Sequence, residues 1–276
     1  MDKLKVCFLG TGSMGSSVLK GLLAAGHHPK LISATTNSEA SAASLRELGI
    51  SALSVEEASD ANSLLSADSD LVVLGVKPYA LLDLIDEIAA ELPTTAVVVS
   101  MAAGIELATM AQRLPGHPEL IRSMPNTPAL VGSGVTGLAA ADSATARSLD
   151  VATWLFEQVG SVVQVREEQI NALSAISGSG PAWIYFLIEK WHEVALAQGF
   201  TEEQAKLLVE KTLIGSAKLL ELTGEEPSKL RRDVTSPGGT TARIIETLDQ
   251  ADLTHLFDKA LRAAVARAQE LANPKG

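Results

Sequence analysis

Cysteine is nearly absent from the chain, because Cys7 is the only one in 276 residues. One cysteine allows no internal disulfide and no cysteine-based zinc cluster, and we expect Cys7 to be a small apolar residue in a buried strand. No apolar run reaches the roughly 18 residues that a membrane span needs. Only four apolar residues, Val6 to Leu9, precede the first glycine, too few for a secretory signal. These absences predict a cytoplasmic protein with no membrane contact.

Positive charge is also scarce, because 22 Lys and Arg residues stand against 33 Asp and Glu residues and the formal net charge is −11. Binding of nucleic acid depends largely on clustered positive charge, so we expect no nucleic-acid partner. No two of the histidines have the spacing of metal ligands, and we predict that all are solvated and that there is no metal site. They are His27, His28, His117, His192 and His255.

The first 165 residues have an α/β pattern. Short apolar, β-branched runs alternate there with helical patterns, which predicts a doubly wound, mainly parallel sheet. After Pro78, Leu81, Ile85, Ile88 and Leu92 form one helical stripe that should face this sheet. The predicted strands are residues 6–9, 30–33, 71–76, 96–100, 120–123, 135–139 and 161–165.

The rest of the chain reads as helix, so we expect a dinucleotide-binding domain at 1–165 and an all-helical domain at 166–276. A capping box at Thr201–Gln204 and a terminating Gly224 delimit one helix of about 22 residues. Other helices are expected around 184–195 and 252–271. About 110 residues of amphipathic helix form a thin core, so we expect a second copy of the chain to cover the exposed stripes.

The segment Gly10–Gly15 (G-T-G-S-M-G) lies between the first strand and a helical stretch, the context of a Rossmann-type dinucleotide-binding turn. Gly10 permits the tight turn, Gly12 lets a pyrophosphate approach the backbone, and Gly15 allows close helix–strand packing. An ordinary glycine-rich turn is the alternative. We therefore expect cofactor contacts from Gly10, Thr11, Gly12, Ser13, Met14 and Gly15.

The end of the second strand bears on the choice of dinucleotide. An acidic residue there would bind the ribose 2′-hydroxyl of NAD, yet the chain reads Thr35-Thr36-Asn37, with no acid before Glu39. Hydroxyl, amide and backbone donors can bind a 2′-phosphate, which favours NADP. NAD stays open, because no arginine occurs before Arg46 in this region.

Two later strand ends carry small residues where a cofactor would lie, Gly75–Pro78 and Met101–Ala103. Lys77 is equally well explained as a surface lysine. Met124–Pro128 (M-P-N-T-P) is either a rigid loop or a ligand contact. For Ser177–Ala182 (S-G-S-G-P-A), a close helix crossing and a ligand contact are equally good explanations.

The helical half contains a second glycine-rich segment, Asp233–Thr241 (D-V-T-S-P-G-G-T-T), which leads into a helical pattern. Free N–H groups and hydroxyls at a helix start can converge on a small carboxylate, whereas an ordinary N-cap is the simpler alternative. No catalytic nucleophile stands out. A site made of donors without a strong base suits hydride transfer, in which the cofactor carries the chemistry.

Four segments that follow the glycine turn resemble the pyrroline-5-carboxylate reductase family over essentially the whole chain. They are V-K-P at Val76–Pro78, M-P-N-T-P at Met124–Pro128, I-S-G-S-G-P-A at Ile176–Ala182 and V-T-S-P-G-G-T-T at Val234–Thr241. The resemblance implies hydride transfer from NAD(P)H to the imine carbon of L-Δ1-pyrroline-5-carboxylate, the last step of proline biosynthesis. It also implies an α/β fold in which a Rossmann domain precedes a helical dimerisation domain, in a homodimer that is often part of a ring of dimers.

The same resemblance implies residue roles. Thr35 would lie near the adenosine 2′ position, Ser236 and Thr241 would be catalytic, and the Thr241 hydroxyl would lie close to the ring nitrogen of the cyclic imino acid. Relatives often carry Asn or Gln at Asp233, whose carboxylate would repel an anionic substrate unless it points away. The implied cofactor residues are Gly10–Gly15, Thr35, Thr36, Asn37, Asn62, Gly75, Val76, Lys77, Pro78, Met101, Ala102 and Ala103. The implied substrate residues are Asp233, Ser236, Pro237, Gly238, Gly239, Thr240 and Thr241.

Two other functions stay open at this point. A different imine or β-hydroxyacid reductase could share this two-domain plan, although a β-hydroxyacid enzyme is expected to place a lysine beside its substrate and residues 168–183 contain none. A non-catalytic NADP-binding sensor is the alternative from another class, and the intact segment Ser236–Thr241 argues against it.

Overall fold

The computed structural model describes residues 1 and 3–272 of the chain. Within them the strands are β1 Val6–Leu9, β2 Ile32–Thr36, β3 Ser51–Ser54, β4 Leu71–Leu74, β5 Val97–Ser100, β6 Leu120–Met124, β7 Gly134–Ala140 and β8 Gly160–Gln164. The α-helices are α1 Ser13–Ala24, α2 Glu39–Arg46, α3 Ala61–Ser66, α4 Pro78–Ile88, α5 Leu107–Arg113, α6 Ala146–Glu157, α7 Ile170–Leu173, α8 Gly180–Ala197, α9 Glu202–Thr223, α10 Pro227–Asp233, α11 Thr240–Gln250 and α12 Leu253–Ala272. Short 3₁₀ helices cover Pro29–Leu31, Thr127–Val131 and Glu167–Gln169, and a π-helical turn covers Ser174–Gly178.

The described strands form one sheet in the order β3-β2-β1-β4-β5-β6-β7-β8. All neighbours are parallel except β6 and β7, so the predicted doubly wound sheet is confirmed. Alternate residues of β1 belong to different cores: Val6 and Phe8 pack on one face of the sheet and Cys7 and Leu9 on the other. Helices therefore cover both faces, which explains why β1 and β4 are continuously apolar rather than alternating.

The sequence located β1 at the observed residues. It predicted the bounds of β2 wrongly, at 30–33 instead of Ile32–Thr36, and it omitted β3. Strand β2 begins at Ile32 rather than at residue 30, because Pro29 opens a 3₁₀ turn that the His28 ring caps by accepting from Lys30 N at 3.2 Å. Strand β3 is an outer strand of the sheet with the sequence Ser-Ala-Leu-Ser. It has no apolar run that could mark it.

The helical stripe after Pro78 faces the sheet as predicted. Leu81, Ile85 and Ile88 of α4 are fully buried in the core beneath β4 and β5. Leu92 is also buried, but it follows the end of the helix at Ile88. The stripe therefore predicted burial correctly and overestimated the length of the helix by one turn.

Contacts divide the chain into two units, which we call the sheet unit and the helical unit. The sheet unit is Met1–Ser179 with the described residues from Val265 onward, and the helical unit is Gly180–Ala264. The sequence-based boundary at 165 follows the end of β8, whereas the contacts assign residues 166–179 to the sheet unit. Glu167 Oε1 accepts from Leu107 N at 2.6 Å and from Arg122 Nη1 at 3.2 Å.

The helical unit has long helices and few buried residues. The predicted capping box of α9 is present, with Gln204 N donating to Thr201 Oγ1 at 3.3 Å and Thr201 N donating to Gln204 Oε1 at 3.0 Å. Gly224 ends the helix with φ of 61°. Among the described residues of α8 to α11, only Ala205 and Val209 are buried. No described helix is both long and apolar enough to cross a bilayer.

Two of the five histidines are buried, so the prediction that all are solvated was wrong. His27 Nε2 lies 3.0 Å from Leu4 O and its ring packs edge-on against Trp154, and His117 Nε2 lies 2.9 Å from Ala96 O. Burial lowers the pKa of His117. Each ring binds a carbonyl near the start of a strand, which sequence spacing does not reveal. Among the described residues, no three His, Cys, Asp or Glu side chains are placed to hold a metal ion.

Candidate active site

The glycine turn after β1 touches the end of β4. Gly10 has φ of +82°, and a Cβ there would lie 2.5 Å from Val76 Cγ1, while a Cβ on Gly75 would lie 2.5 Å from Gly10 O. Within the part of the chain that the structure describes, no atom other than those of Gly12 and its two chain neighbours lies within 4 Å of the Cβ position of Gly12, which immediately precedes α1. The turn is thus closely packed on its inner side and open at the start of the helix, which fits a pyrophosphate approaching the N–H groups of α1.

Strand β2 holds this turn in place. Gly10 N donates to Thr35 Oγ1 at 3.0 Å, and both the backbone N–H and the hydroxyl of Thr11 donate to Thr35 O at 3.0 Å. The Thr35 side chain is buried and already serves the turn. The Thr36 side chain is also buried, and its Oγ1 donates to Ser38 O at 2.9 Å. Asn37, the next residue, has an exposed polar side chain.

Six predicted cofactor residues line one cavity of about 230 Å³ at the carboxyl edge of the sheet. Two acidic residues that the sequence analysis did not single out, Asp83 and Glu87, line it as well, and Glu87 Oε2 accepts from Asn62 Nδ2 at 3.0 Å. They lie on α4 away from its apolar stripe, which is the signal that could have identified them. The six predicted residues are Gly10, Thr35, Thr36, Asn37, Asn62 and Val76.

Arg46 is engaged elsewhere in the sheet unit. Its guanidinium bonds to Glu39 and donates to Ala52 O at 3.0 Å. The residues that line the cavity include no lysine or arginine. A phosphate near Asn37 would therefore depend on backbone N–H groups and uncharged donors.

The other predicted cofactor residues lie along the same edge. Lys77 is exposed and precedes α4, whose first residue is Pro78. Met101 Cε lies 3.2 Å from the Cβ position of Gly75 and 3.8 Å from that of Gly15, so this side chain supports the glycine turn. Ala102 is buried and its N–H donates to Ser100 Oγ at 3.2 Å, whereas Ala103 is exposed.

The loop between α10 and α11 in the helical unit has the features of an anion site. Gly238 has φ of +69°, Gly239 N donates to Ser236 O at 3.0 Å, and α11 then begins at Thr240 with no side chain capping it. The hydroxyls of Ser236, Thr240 and Thr241 make no hydrogen bond within the described part of the chain. An ordinary N-cap therefore does not explain the segment, and its donors are available to a ligand.

Asp233, the last residue of α10, is directed toward the preceding turn of its helix. Its Oδ2 lies 3.3 Å from Lys229 Nζ, and that ammonium group also lies 3.2 Å from Glu225 Oε1. The two carboxylates raise the pKa of Lys229. The Asp233 carboxylate thus has a cationic partner within α10, which reduces its repulsion of an anion bound at the following loop.

Two family models match the chain. "Pyrroline-5-carboxylate reductase dimerisation" matches residues 167–271, and "NADP oxidoreductase coenzyme F420-dependent" matches residues 5–104. The two matches fall on the helical and dinucleotide-binding parts that the sequence predicted.

Individual relatives cover nearly the whole chain. A pyrroline-5-carboxylate reductase of Vibrio alginolyticus is 37% identical over 98% of each chain. The solved structure of a pyrroline-5-carboxylate reductase from Coxiella burnetii has a TM-score of 0.90 at 35% identity and also covers 98% of each chain. That of a Plasmodium falciparum pyrroline carboxylate reductase with NADP bound has a TM-score of 0.82 at 23% identity, covers 99% of this chain and all of its own, and shows the same fold.

Proposed function

The chain belongs to the pyrroline-5-carboxylate reductase family, and from that premise we propose how its residues reduce the imine of L-Δ1-pyrroline-5-carboxylate to L-proline. The observation that carries the proposal is the pairing of an open glycine turn at the start of α1 with a loop before α11 whose hydroxyls are free. One segment suits a dinucleotide and the other suits a small carboxylate.

The cofactor residues are those of the carboxyl edge. The N–H groups at the start of α1 bind the pyrophosphate, because Gly12 leaves the approach open and the helix dipole favours an anion. Asn37 and Asn62 contribute to the ribose end, and the segments Gly75–Pro78 and Met101–Ala103 border the nicotinamide end. When bound, the reduced nicotinamide supplies the hydride.

The substrate residues are those of the loop Ser236–Thr241. N–H groups of this loop hold the carboxylate, Ser236 and Thr240 add hydroxyl donors, and Thr241 places its hydroxyl at the ring nitrogen. The imine carbon gains a hydride, the C=N π bond breaks and its electron pair passes to the nitrogen. Because the protonated imine is already electrophilic, the chain mainly has to orient the ring and hold its carboxylate.

The preferred cofactor in this proposal is NADP. Its support is the absence of a carboxylate at the end of β2, where Thr36 is the last strand residue and Asn37 follows it, together with the match to an NADP oxidoreductase model. Asp83, Glu87 and the engaged Arg46 are the features that favour NAD. Parallel titrations with NADPH and NADH decide between them.

Assembly and surroundings complete the proposal. The match to a dimerisation model means that the chain associates with copies of itself, and we propose a homodimer that can associate further into a ring of dimers. Its support is the set of exposed apolar side chains on α8 and α9. A cytoplasmic enzyme without a nucleic-acid partner agrees with the net charge of −11 and with the supply of reduced nicotinamide cofactors inside cells.

The test is an assay of cofactor oxidation that depends on the imine. The loss of absorbance of NADPH or NADH measures this oxidation. Thr241→Ala should lower kcat/KM by about 10- to 100-fold, about 1.4 to 2.7 kcal/mol, and leave the Kd of NADPH nearly unchanged. Thr247→Ala is the control, because its hydroxyl bonds to Arg243 O within the same helix. Full activity of Thr241→Ala would remove Thr241 from the site, and folded wild-type protein without imine-dependent oxidation would overturn the proposal.

A further inference from the structure

Asn126 is a buried polar residue that the mechanism above does not use. It follows β6 and is 8% exposed. Its Nδ2 donates to Ser177 O at 3.0 Å and its Oδ1 accepts from Val135 N at 2.8 Å. Both ends of the amide are therefore bonded to backbone, one of them to a segment 51 residues further along the chain.

The segment that Asn126 binds is the π-helical turn Ser174–Gly178. Single π-helical turns are rare and occur frequently at functional sites. Here Ser179 N donates to Ser174 O at 2.8 Å to close the wider ring, and Ser177 Oγ donates to Leu173 O at 3.1 Å. The hydrogen bond to Asn126 thus fixes the turn from outside the helix.

A second contact attaches the same turn to the end of β6. A Cβ on Gly178 would lie 3.0 Å from Met124 Cε and 3.3 Å from Ser174 Oγ, so even one methyl group there would require the Met124 side chain to move. Met124 is the last residue of β6. The turn is therefore held at two points, by Met124 against Gly178 and by Asn126 at Ser177.

This location is the cofactor edge of the sheet. Strand β6 is parallel to β5, and Met101, directly after β5, has its Cε 3.8 Å from the Cβ position of Gly15. In sheets of this kind the dinucleotide lies outside the carboxyl ends of the strands. In the proposed function the nicotinamide end lies beyond β4 and β5, and the turn that Asn126 holds is attached at the end of the neighbouring strand β6.

We propose that Asn126 is a positioning residue for hydride transfer, which holds the π-helical turn Ser174–Gly178 as a fixed wall beside the nicotinamide ring. The proposal rests on the proposed function, because it requires the cofactor at this edge. Asparagine suits the role because one side chain must donate to a carbonyl and accept from an N–H group. Aspartate cannot donate and would direct a carboxylate at Ser177 O.

The test compares Asn126→Ala and Asn126→Asp with the wild type in the intact protein. In the absence of cofactor, hydrogen–deuterium exchange at the Ser179 amide should be faster in both variants, because the turn is no longer fixed. We expect kcat to fall about 10- to 100-fold, because a small misplacement of the reacting groups slows hydride transfer. The KM for the imine and the Kd of NADPH should stay within about threefold of the wild-type values. The primary isotope effect with 4-deuterated NADPH should increase, because hydride transfer becomes more rate-limiting.

Glu119→Gln is the matched control for lost stability. Glu119 is equally buried at the opposite end of β6, where its carboxylate accepts from Ser148 Oγ and, at 3.0 Å, from Thr145 N. This variant should be less stable than the wild type and keep its kcat and isotope effect. Asn126 variants that lose stability in the same way, with kcat and isotope effect unchanged, would show a structural role only and overturn the proposal.

Gly178→Val is the second variant, and it keeps both Asn126 hydrogen-bonding groups. Its branched side chain is too large for a small shift of Met124 to accommodate and should displace the turn from the end of β6, so the same decrease in kcat and increase in isotope effect are expected. Normal kinetics in this variant would contradict the proposal even if the Asn126 variants did not fold. Wild-type protein without turnover would instead overturn the proposed function itself.

Discussion

The sheet unit and the helical unit differ in where their apolar side chains go. In the sheet unit, every residue of β1, β4 and β5 is buried, and α6 adds the fully buried Leu155 and Phe156. In the helical unit, Leu187 of α8 and Leu207 of α9 are more than half exposed. A sheet covered on both faces buries its apolar surface within one chain, whereas two or three amphipathic helices do not.

The difference cannot be read from the helices alone. The stripe Leu81, Ile85 and Ile88 of α4 and the stripe Ile184, Leu187 and Trp191 of α8 look alike in sequence, yet the first is buried and the second is exposed. The match of residues 167–271 to a dimerisation model explains the contrast. We expect the helical unit to bury these side chains against a second copy of the chain, so its stability should depend on protein concentration.

The largest expected effect is in the core of the sheet unit. Phe156→Ala removes a fully buried aromatic ring and should lower the free energy of unfolding by about 3 to 5 kcal/mol. Because this core lies within one chain, the loss should be the same at low and high protein concentration. Denaturant titrations at two concentrations measure it, and a loss that disappears at high concentration would contradict the contrast between the units.

A charge on the exposed stripe of α8 should act on assembly instead. Leu187→Asp places a carboxylate where a second copy is expected to pack, and the dimer should dissociate at least about 100-fold more readily, about 2.7 kcal/mol. Light scattering after size-exclusion chromatography measures the change. Leu64→Asp is the control, because Leu64 is 60% exposed on α3 of the sheet unit. A Leu187→Asp protein that stays dimeric would show that α8 is not in the interface.

The smallest effect concerns charged groups. Glu119 accepts hydrogen bonds from Ser148 and Thr145, which lower its pKa, so its contribution to stability is present above the ordinary pKa of about 4.3 and is lost as the pH falls. Glu119→Gln should cost about 1 to 3 kcal/mol at pH 7, and the difference from wild type should vanish in acid. Glu246→Gln, which breaks an exposed pair with Arg243, should change stability by less than about 0.5 kcal/mol. Equal losses from both variants would contradict the distinction between buried and exposed charge.

Local sequence predicted the elements whose signals are local. Strand β1 is a short apolar run before a glycine, and α9 has a capping box at Thr201 and a glycine at 224, so both were located correctly. Strand β3 was missed because its pairing with β2 comes from the sheet and not from its own residues. Likewise, no local pattern indicates that residues 166–179 pack with the sheet unit through the pair of Glu167 and Arg122.

The candidate site follows the same rule. The glycine turn and the loop before α11 could be recognised because each has a backbone requirement that only certain residues meet, shown by the positive φ of Gly10 and Gly238. The hydrogen bond from Asn126 to Ser177 joins residues far apart in the chain. The sequence therefore indicated that M-P-N-T-P mattered without revealing what its asparagine binds.

The buried position of Cys7 makes the sole thiol of the chain a reporter of unfolding. It lies in the middle of β1 with none of its surface exposed, and burial raises its pKa to about 12. Thiolate is the reactive form, so a thiol-specific reagent should leave the folded molecule untouched and label it only after the central strand has opened. The rate of labelling would then report how often the sheet opens, without any engineered probe.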